Sequence, residues 1–200
     1  MSDDFTPLKL GADAVQALLP HRRPFLFVDR VEAIRRGARP ALRAAKLVSA
    51  NEPVFEGHFP GAGGWPGLSL WPGVHTIEGL GQTANVLLVI AGIAEAFAGL
   101  GRTEDDALAA LRALDGSLRP GARGPDPRAE ELVGLLGAPR TRMGFAGAYD
   151  IKLLEPVYAG SVIRYEVTLS HALANARRFE VEATVDDRPV ARGSMTSALP

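Results

Sequence analysis

The segment 74–94 limits the folds open to this chain more than any other part of the sequence. It is apolar at nearly every position of a helix, and its large side chains recur at steps of three and four residues. A helix without a polar face has to be buried in the middle of a soluble protein. We expect it to begin near Pro72 and Gly73, because residues 60–72 carry four glycines and three prolines and therefore form a loop.

The last third of the chain predicts the sheet that covers this helix. Residues 163–169 and 179–185 alternate apolar with polar side chains, and residues 190–197 form a third candidate strand. Short polar segments separate the three strands, which predicts two consecutive hairpins. Residues 25–34 and 41–49 are two earlier candidate strands. The predicted fold class is α+β, with an antiparallel sheet wrapped around a long central helix.

The remaining segments fit a single domain that spans residues 1–200. Residues 12–19 are a short helical candidate that Pro20 stops. Residues 101–142 differ in character, because two short helical candidates flank a linker rich in glycine, proline and arginine. This segment carries too few large apolar residues for a core of its own. We therefore interpret 101–142 as a partly helical insertion within the domain.

Composition and charge exclude several classes of function. The 22 basic and 23 acidic side chains give a net charge of −1, which does not indicate a protein that binds nucleic acid or a membrane surface. The chain has no cysteine, which excludes a disulfide scaffold, a thiol nucleophile and a zinc–thiolate site. Residues 1–5 are acidic and lack the pattern of a secretory signal. Since Gln82, Thr83 and Asn85 interrupt the apolar helix, we expect it to fall short of a membrane span and the protein to be cytoplasmic.

A histidine and a glutamate that are 20 residues apart predict the chemistry. His58 lies in the turn 57–61, which is rich in glycine and proline, and Glu78 lies in the first turns of the apolar helix. Such a pair supplies a general base and a general acid. The helix start at Gly73 presents unpaired N–H groups and a partial positive charge, which stabilise an oxyanion.

Two other histidines are given smaller roles. His75 lies three residues before Glu78 on the same helix face, and with His58 it would make a metal-binding triad. No further ligand is evident around these residues, so we expect no metal. His21 follows Pro20 and is interpreted as a structural hydrogen-bonding residue.

Several sequence blocks stand in the order of a known family. They are Leu19-Pro20-His21-Arg22-Arg23-Pro24-Phe25-Leu26-Phe27-Val28-Asp29-Arg30, Asn51-Glu52-Pro53-Val54-Phe55-Glu56-Gly57-His58-Phe59-Pro60-Gly61, Pro72-Gly73-Val74 through Glu78 to Gln82, Phe145-Ala146-Gly147 and Pro156-Val157. With these blocks the chain resembles the hot-dog-fold 3-hydroxyacyl-(acyl carrier protein) dehydratases of fatty-acid synthesis. The glutamate at the acid position resembles the branch of the family that dehydrates without isomerising the double bond. The isomerising branch carries aspartate at this position.

The resemblance implies a role for each candidate site residue. His58 removes the C2 proton of a 3-hydroxyacyl thioester, and Glu78 protonates the departing C3 hydroxyl. Gly73 is the implied oxyanion donor, Gln82 orients the carboxylate, and Phe59 contacts the substrate. No metal or organic cofactor is implied.

The resemblance also implies partners. The substrate is expected to be linked to acyl carrier protein or to coenzyme A. The enzyme is expected to be a homodimer or a larger homo-oligomer, with active sites at the dimer interface that combine residues of two subunits.

The loop before the central helix departs from the family's pattern. The interval between His58 and Glu78 is longer than usual and contains a near repeat, in which Trp65-Pro66-Gly67 is followed by Trp71-Pro72-Gly73. Only the second copy places a carboxylate at the acid position, so we assign the oxyanion donor to Gly73. Gly67 is the alternative donor.

Two further departures concern the carrier. Leu154 and Glu155 stand where the family commonly has basic residues that face the acidic carrier protein. The insertion 101–142 is absent from the family at this length, and it holds arginines that would supply replacement charge: Arg119, Arg123, Arg128, Arg140 and Arg142.

Two other functions remain open on the sequence. A thioesterase on the same fold would use the acid to activate water, and His58 would then be dispensable. A non-catalytic subunit of a synthase complex is the alternative from another class, and the presence of both His58 and Glu78 argues against it.

Overall fold

The predicted central helix is present, and the strands of an antiparallel sheet pack against it. The computed structural model describes residues 4–62, 66–118, 126–136 and 145–198. The elements in chain order are β1 (Thr6–Leu10), α1 (Ala12–Leu18), β2 (Arg30–Arg35), β3 (Ala41–Leu47), a 3-10 turn (Pro53–Glu56), β4 (Leu70–Trp71), α2 (Gly73–Gly99), α3 (Glu104–Ser117), α4 (Pro127–Leu136), β5 (Phe145–Leu153), β6 (Val157–Tyr158), β7 (Val162–Ala172), β8 (Ala176–Val185) and β9 (Arg188–Ala198).

The sheet is antiparallel, as the alternating pattern of the last third predicts. Its seven strands are ordered β1-β2-β3-β7-β8-β9-β5, and β4 and β6 form a separate two-stranded pair. The inward side chains of β7 and β8 are fully buried, for example Tyr165 and Phe179. Together with α2 they form one continuous apolar core.

Helix α2 lies in that core and approaches the sheet closely. A Cβ atom at Gly79 would lie 2.3 Å from the hydroxyl oxygen of Tyr165, so only glycine permits this approach. By length and hydropathy the helix is able to cross a bilayer, which corrects the expectation that its polar residues make it too short. However, 56% of its apolar window is buried inside the protein, as in the core helix of a soluble fold.

Four of the described strands were not predicted, namely the edge strands β1 and β5 and the two-residue strands β4 and β6, and one strand was predicted too long. The alternation of apolar and polar side chains covers only part of the edge strands β1 and β5, because Pro7 precedes it in β1 and the small residues Ala146 and Gly147 precede it in β5. The candidate strand 25–34 begins only at Arg30. Before it, the N–H of Phe27 donates to a side chain of α2 instead of to a neighbouring strand.

The segment 101–142 contains both predicted helices. Helix α3 begins with a reciprocal cap in which Thr103 and Asp106 hydrogen-bond to each other's backbone N–H. An ion pair between Arg102 and Glu131 links the start of α3 to α4, and apolar side chains of both helices join the main core. Of the arginines proposed to face the carrier, only Arg128 lies within the described residues, so that hypothesis stays a prediction.

Candidate active site

His58 is held by two backbone groups. Its backbone N–H donates to the carbonyl of Val54 in the 3-10 turn, at 2.9 Å. Its ring Nδ1 lies 2.7 Å from the carbonyl oxygen of Leu70. Because a carbonyl oxygen can only accept, we assign the ring proton to Nδ1. The other nitrogen, Nε2, is then an unprotonated acceptor, which is the form that a general base requires.

A cavity of about 360 Å³ lies beside this histidine. Its wall includes His58, Phe59, Gly73 and Thr76, and we call these four residues the base cluster. Gly73 is the first residue of α2, so its N–H has no acceptor within the helix. The structure therefore brings the predicted base and the predicted oxyanion donor to one cavity, and it places Phe59 in the same wall.

The side chain of Leu153 covers the helix start. A Cβ atom at Gly73 would lie 2.3 Å from Cδ1 of Leu153, so glycine allows the strand and the helix N-terminus to meet. Leu154 and Glu155 continue the cavity wall on the same side. The acidic side chain of Glu155 lies 3.3 Å from the guanidinium of Arg188.

Gly67, the alternative oxyanion donor, lies elsewhere. It is exposed and packs against the loop that carries His58, where an added Cβ would be 2.7 Å from the backbone nitrogen of Gly61. It is absent from the cavity wall. Trp65, the first residue of the repeat, is outside the described residues.

An ion cluster around the buried Lys46 fixes the chain that leads to the base cluster. The ammonium of Lys46 lies 2.6 Å from Glu52 and 3.3 Å from Asp29. Its side chain is only 7% exposed. Since Glu52 immediately precedes the 3-10 turn that leads to His58, this cluster fixes the base of the loop.

Glu78 lies on a different side of α2. Residues 76 and 78 are separated by about 200° around a helix of 3.6 residues per turn, so Thr76 and Glu78 point in nearly opposite directions. Glu78 is absent from the cavity wall, and within the described part of the chain no hydrogen bond or ion pair joins it to His58. One chain therefore does not bring the predicted base and acid together.

Gln82 holds the carboxylate of Glu78. Its Nε2 donates to Oε1 of Glu78 at 3.1 Å and to the carbonyl of Phe25 at 2.9 Å, while its Oε1 accepts from the N–H of Phe27 at 2.8 Å. The side chain is fully buried. These three hydrogen bonds fix the orientation of the Gln82 amide. If the amide were flipped, its NH₂ group would face the N–H of Phe27, and its oxygen would face the acceptor oxygens of Glu78 and Phe25.

His21 was interpreted as a structural hydrogen-bonding residue, and the structure gives a different arrangement. Its Nε2 lies 3.6 Å from Oε1 of Glu78, while its Nδ1 is buried without a hydrogen-bond partner. We call His21, Glu78 and Gln82 the acid cluster. Nothing in the sequence signals this approach apart from the position of His21 in a block shared with a known family.

His75 lies among aromatic rings between the two clusters. It stacks on Phe27 with ring centroids 4.4 Å apart and meets the edge of Trp71 at 5.1 Å. Burial lowers the pKa of His75, and the nearby His58 adds to this effect, whereas the charges of Glu52 and Glu78 oppose it. Among the described residues, no group of three or more His, Asp or Glu side chains is arranged to hold a metal ion.

Tyr149 of β5 is a residue near the acid that sequence reasoning missed. An added Cβ at Gly81 would lie 3.3 Å from its hydroxyl, which places the phenol beside α2. Burial raises the pKa of Tyr149, and the charge of Glu78 raises it further. The edge strand β5 therefore runs past both clusters, with Leu153 at Gly73 and Tyr149 near Glu78.

Comparisons with known proteins identify the family of this chain. Residues 19–105 match the model of the FabA-like domain family. The chain is 30% identical to the 3-hydroxyacyl-(acyl-carrier-protein) dehydratase FabZ of Polynucleobacter necessarius subsp. necessarius (strain STIR1), over 97% of this chain and 95% of that protein. It is 31% identical to FabZ of Cronobacter sakazakii (strain ATCC BAA-894), over 94% of this chain and 92% of that protein.

A solved structure shows the same fold. The dehydratase heterocomplex ApeI:P from Xenorhabdus doucetiae superposes with a TM-score of 0.53 and 15% identity, over 93% of this chain and 90% of that chain. At this identity the similarity establishes the fold alone. It confirms the predicted α+β hot-dog fold, with an antiparallel sheet around a long helix.

Proposed function

Since the chain belongs to the 3-hydroxyacyl-(acyl-carrier-protein) dehydratase family, we propose that it removes water from a 3-hydroxyacyl thioester with His58 as the base and Glu78 as the acid. The observation that carries this assignment is the hydrogen bond between Nδ1 of His58 and the carbonyl of Leu70. It leaves Nε2 as a proton acceptor at a cavity that also contains a helix N-terminus.

The reaction follows from the chemistry of these groups. His58 takes the proton from C2, and the electron pair of that bond forms the C2–C3 double bond. As the proton leaves, negative charge develops on the thioester oxygen, and the N–H of Gly73 stabilises it. Glu78 gives a proton to the C3 hydroxyl, which departs as water. The products are the 2-enoyl thioester and water, and a later proton transfer restores the two side chains.

A complete site requires two subunits, because one chain holds the base cluster and the acid cluster apart. Strand β5 supports this, since it lies at the edge of the sheet and, among the described strands, pairs with β9 alone. An unpaired edge strand is a surface on which a second copy can add its own strand. Exposed apolar side chains surround this edge: Phe59, Val74, Tyr149, Leu153, Leu154 and Tyr158. In the proposed homodimer β5 meets its partner copy, and each active site combines the base cluster of one subunit with the acid cluster of the other.

The substrate is a thioester carried by acyl carrier protein, in fatty-acid or polyketide-like synthesis. This follows from the carrier that the names of the FabZ relatives state. Coenzyme A is the second carrier to be tested, because Leu154 and Glu155 at the cavity wall do not provide the positive charge that an acidic carrier protein favours. We propose that the enzyme is a soluble protein of the cytoplasm. Among the described residues one helix is long and apolar enough to cross a membrane, and the burial of 56% of its apolar window supports this proposal.

Mass spectrometry of the reaction products tests the activity. We expect the wild type to convert 3-hydroxyacyl thioesters to enoyl thioesters, and His58→Ala and Glu78→Gln to lose roughly a thousandfold or more in kcat. Free acid as the product would instead indicate a thioesterase. If neither the acyl carrier protein thioester nor the coenzyme A thioester gives a product, the protein is a non-catalytic subunit.

Mixing the two inactive variants tests the shared site. After subunit exchange at equal amounts, half of the dimers are mixed, and each mixed dimer has one intact site of two, so activity returns to about one quarter of wild type. Each variant refolded alone is the control. If the mixture stays as inactive as its components, His58 and Glu78 do not act across a dimer.

A further inference from the structure

The loop that carries His21 is fixed to α2 by the acid cluster itself. The amide of Gln82 bonds the backbone of Phe25 and Phe27, which follow His21 by a few residues. The N–H of Phe25 also donates to the carbonyl of Arg22 at 2.7 Å, which closes a turn directly after His21. The imidazole is therefore held beside Glu78 by a network that does not depend on its own side-chain bonds.

The surroundings of the two ring nitrogens of His21 determine which of them carries the proton. Nδ1 of His21 is buried and has no hydrogen-bond partner. A proton on Nδ1 would be an unpaired buried donor, and it would leave the lone pair of Nε2 facing Oε1 of Glu78, an oxygen that already acts as an acceptor. We assign the proton to Nε2, which is the nitrogen that lies 3.6 Å from Oε1 of Glu78. This distance is longer than a hydrogen bond, and contacts of this kind commonly shorten when substrate binds.

The side-chain N–H groups of Gln82 and His21 face the same carboxyl oxygen of Glu78. Gln82 donates to Oε1 of Glu78, and Nε2 of His21 faces Oε1 as well. No described residue makes a hydrogen bond or ion pair with Oε2. An oxygen that already faces two donors is a poor place for a proton, so the proton of the acid belongs on Oε2.

We propose that His21 is a positioning residue of the dehydratase: with Gln82 it holds Oε1 of Glu78, so that Oε2 is the oxygen that carries the proton to the C3 hydroxyl of the substrate. This inference rests on the proposed function, in which Glu78 is the acid. It adds a second histidine to the active site, on the side opposite to the base. The residue acts through Glu78 and does not touch the reacting atoms.

Two substitutions at His21 separate the effect of its N–H donor from the effect of its aromatic ring. His21→Phe keeps an aromatic ring against Phe25, whose centroid lies 6.5 Å away, and it replaces a buried nitrogen that has no partner. We therefore expect its thermal stability to match the wild type and its kcat to fall roughly tenfold or more, with little change in KM. His21→Gln restores an N–H at the position of Nε2, and we expect it to recover most of the lost kcat. His21→Leu is a second variant without a donor, for use if His21→Phe does not fold.

The same substitution in a Glu78→Gln background tests whether His21 acts through Glu78. If it does, His21→Phe causes no further loss in that background, because the carboxyl that it positions is gone. Equal losses in both backgrounds, or a His21→Phe enzyme with wild-type kcat, would overturn the proposal.

Subunit mixing assigns His21 to one side of the shared site. His21→Phe and His58→Ala carry their defects in different clusters, so a mixed dimer has one intact site and activity rises above that of either variant. His21→Phe and Glu78→Gln both damage the acid cluster, so their mixture gains nothing. A gain in that second mixture would overturn the assignment. Should His58→Ala and Glu78→Gln also fail to complement, the shared site is wrong, while the comparison of His21→Phe with His21→Gln still decides the role of His21.

Discussion

The base cluster and the acid cluster are held in place by different kinds of interaction. The base lies on a loop, where backbone carbonyls orient it and a buried lysine with two carboxylates fixes the chain in front of it. The acid lies on a helix in the core, where one neutral amide binds it and the facing loop. A regular helix already fixes the position of Glu78, so a neutral side chain is sufficient to orient it. The loop has no such framework and depends on charge.

This difference means that the two clusters respond differently to substitution and to pH. An ion cluster around a buried lysine loses its balance when the lysine is removed, because two partly buried carboxylates are left without their counter-ion. A neutral hydrogen-bond network loses only the bonds of the missing group.

The largest effect on stability is expected at the ionic anchor. Lys46→Met leaves Asp29 and Glu52 without their buried partner, and we expect a loss of about 3–5 kcal/mol in the free energy of unfolding. Arg39→Met removes a cation from an exposed pair with Glu180 and is the control, with an expected loss of at most about 1 kcal/mol. Urea unfolding of both variants measures the difference. Equal losses would show that the buried cluster does not anchor the loop.

A smaller loss is expected at the neutral anchor. Gln82→Met preserves volume but leaves the N–H of Phe27 and the carbonyl of Phe25 without a partner, which costs about 2–3 kcal/mol. It also releases Glu78, so kcat falls as well. Thr83→Val is the control, because its hydroxyl donates only to the carbonyl of Gly79 in the same helix. A loss at Gln82 that exceeds the loss at Lys46 would reverse the comparison.

The smallest effect concerns pH and belongs to His75. Its pKa is lowered in the folded protein, chiefly by burial, so the unfolded chain binds a proton more readily once the pH falls below about 6.5. The stability that the neutral ring contributes is present above that pH and is lost as the pH falls through the lowered pKa of the folded state. The other ionisable groups that act on the ring are His58, Glu52 and Glu78. His75→Phe should flatten the dependence of unfolding free energy on pH in this window, and an unchanged slope would contradict the assignment.

The sequence predicted those parts of the fold whose signal is local. Helix α2 begins at Gly73 as expected, because a proline precedes it and apolar residues follow at helical spacing. The strands of the last third alternate clearly and were found. Strand β5 was not, since the small residues at its start give no alternation and its position at the sheet edge depends on pairing with β9.

The site was predictable to the same extent. The types of residue and the glycine-rich setting of His58 indicated a base near a helix start. The separation of the base from the acid within one chain was implied by the family resemblance and not by residue spacing, because it depends on how α2 is rotated against the sheet. The approach of His21 to Glu78 joins residues that are far apart in the chain, and it depends on Gln82, whose bonds to Phe25 and Phe27 span 57 and 55 residues. Spacing patterns report neighbours along a helix or strand and carry no information on such contacts.

The pairing of β4 with β6 has a consequence for synthesis of the protein on the ribosome. Leu70 and Trp71, which follow the His58 loop, pair with Tyr158 and Val157, and the carbonyl of Ser69 accepts from the N–H of Ala159 at 2.9 Å. The acid cluster has all of its partners once residue 82 has left the exit tunnel. The hydrogen-bond partners of the acid cluster are therefore available early in the nascent chain, before α2 packs against the later strands, whereas the loop that carries the base waits for partners in the last quarter of the polypeptide.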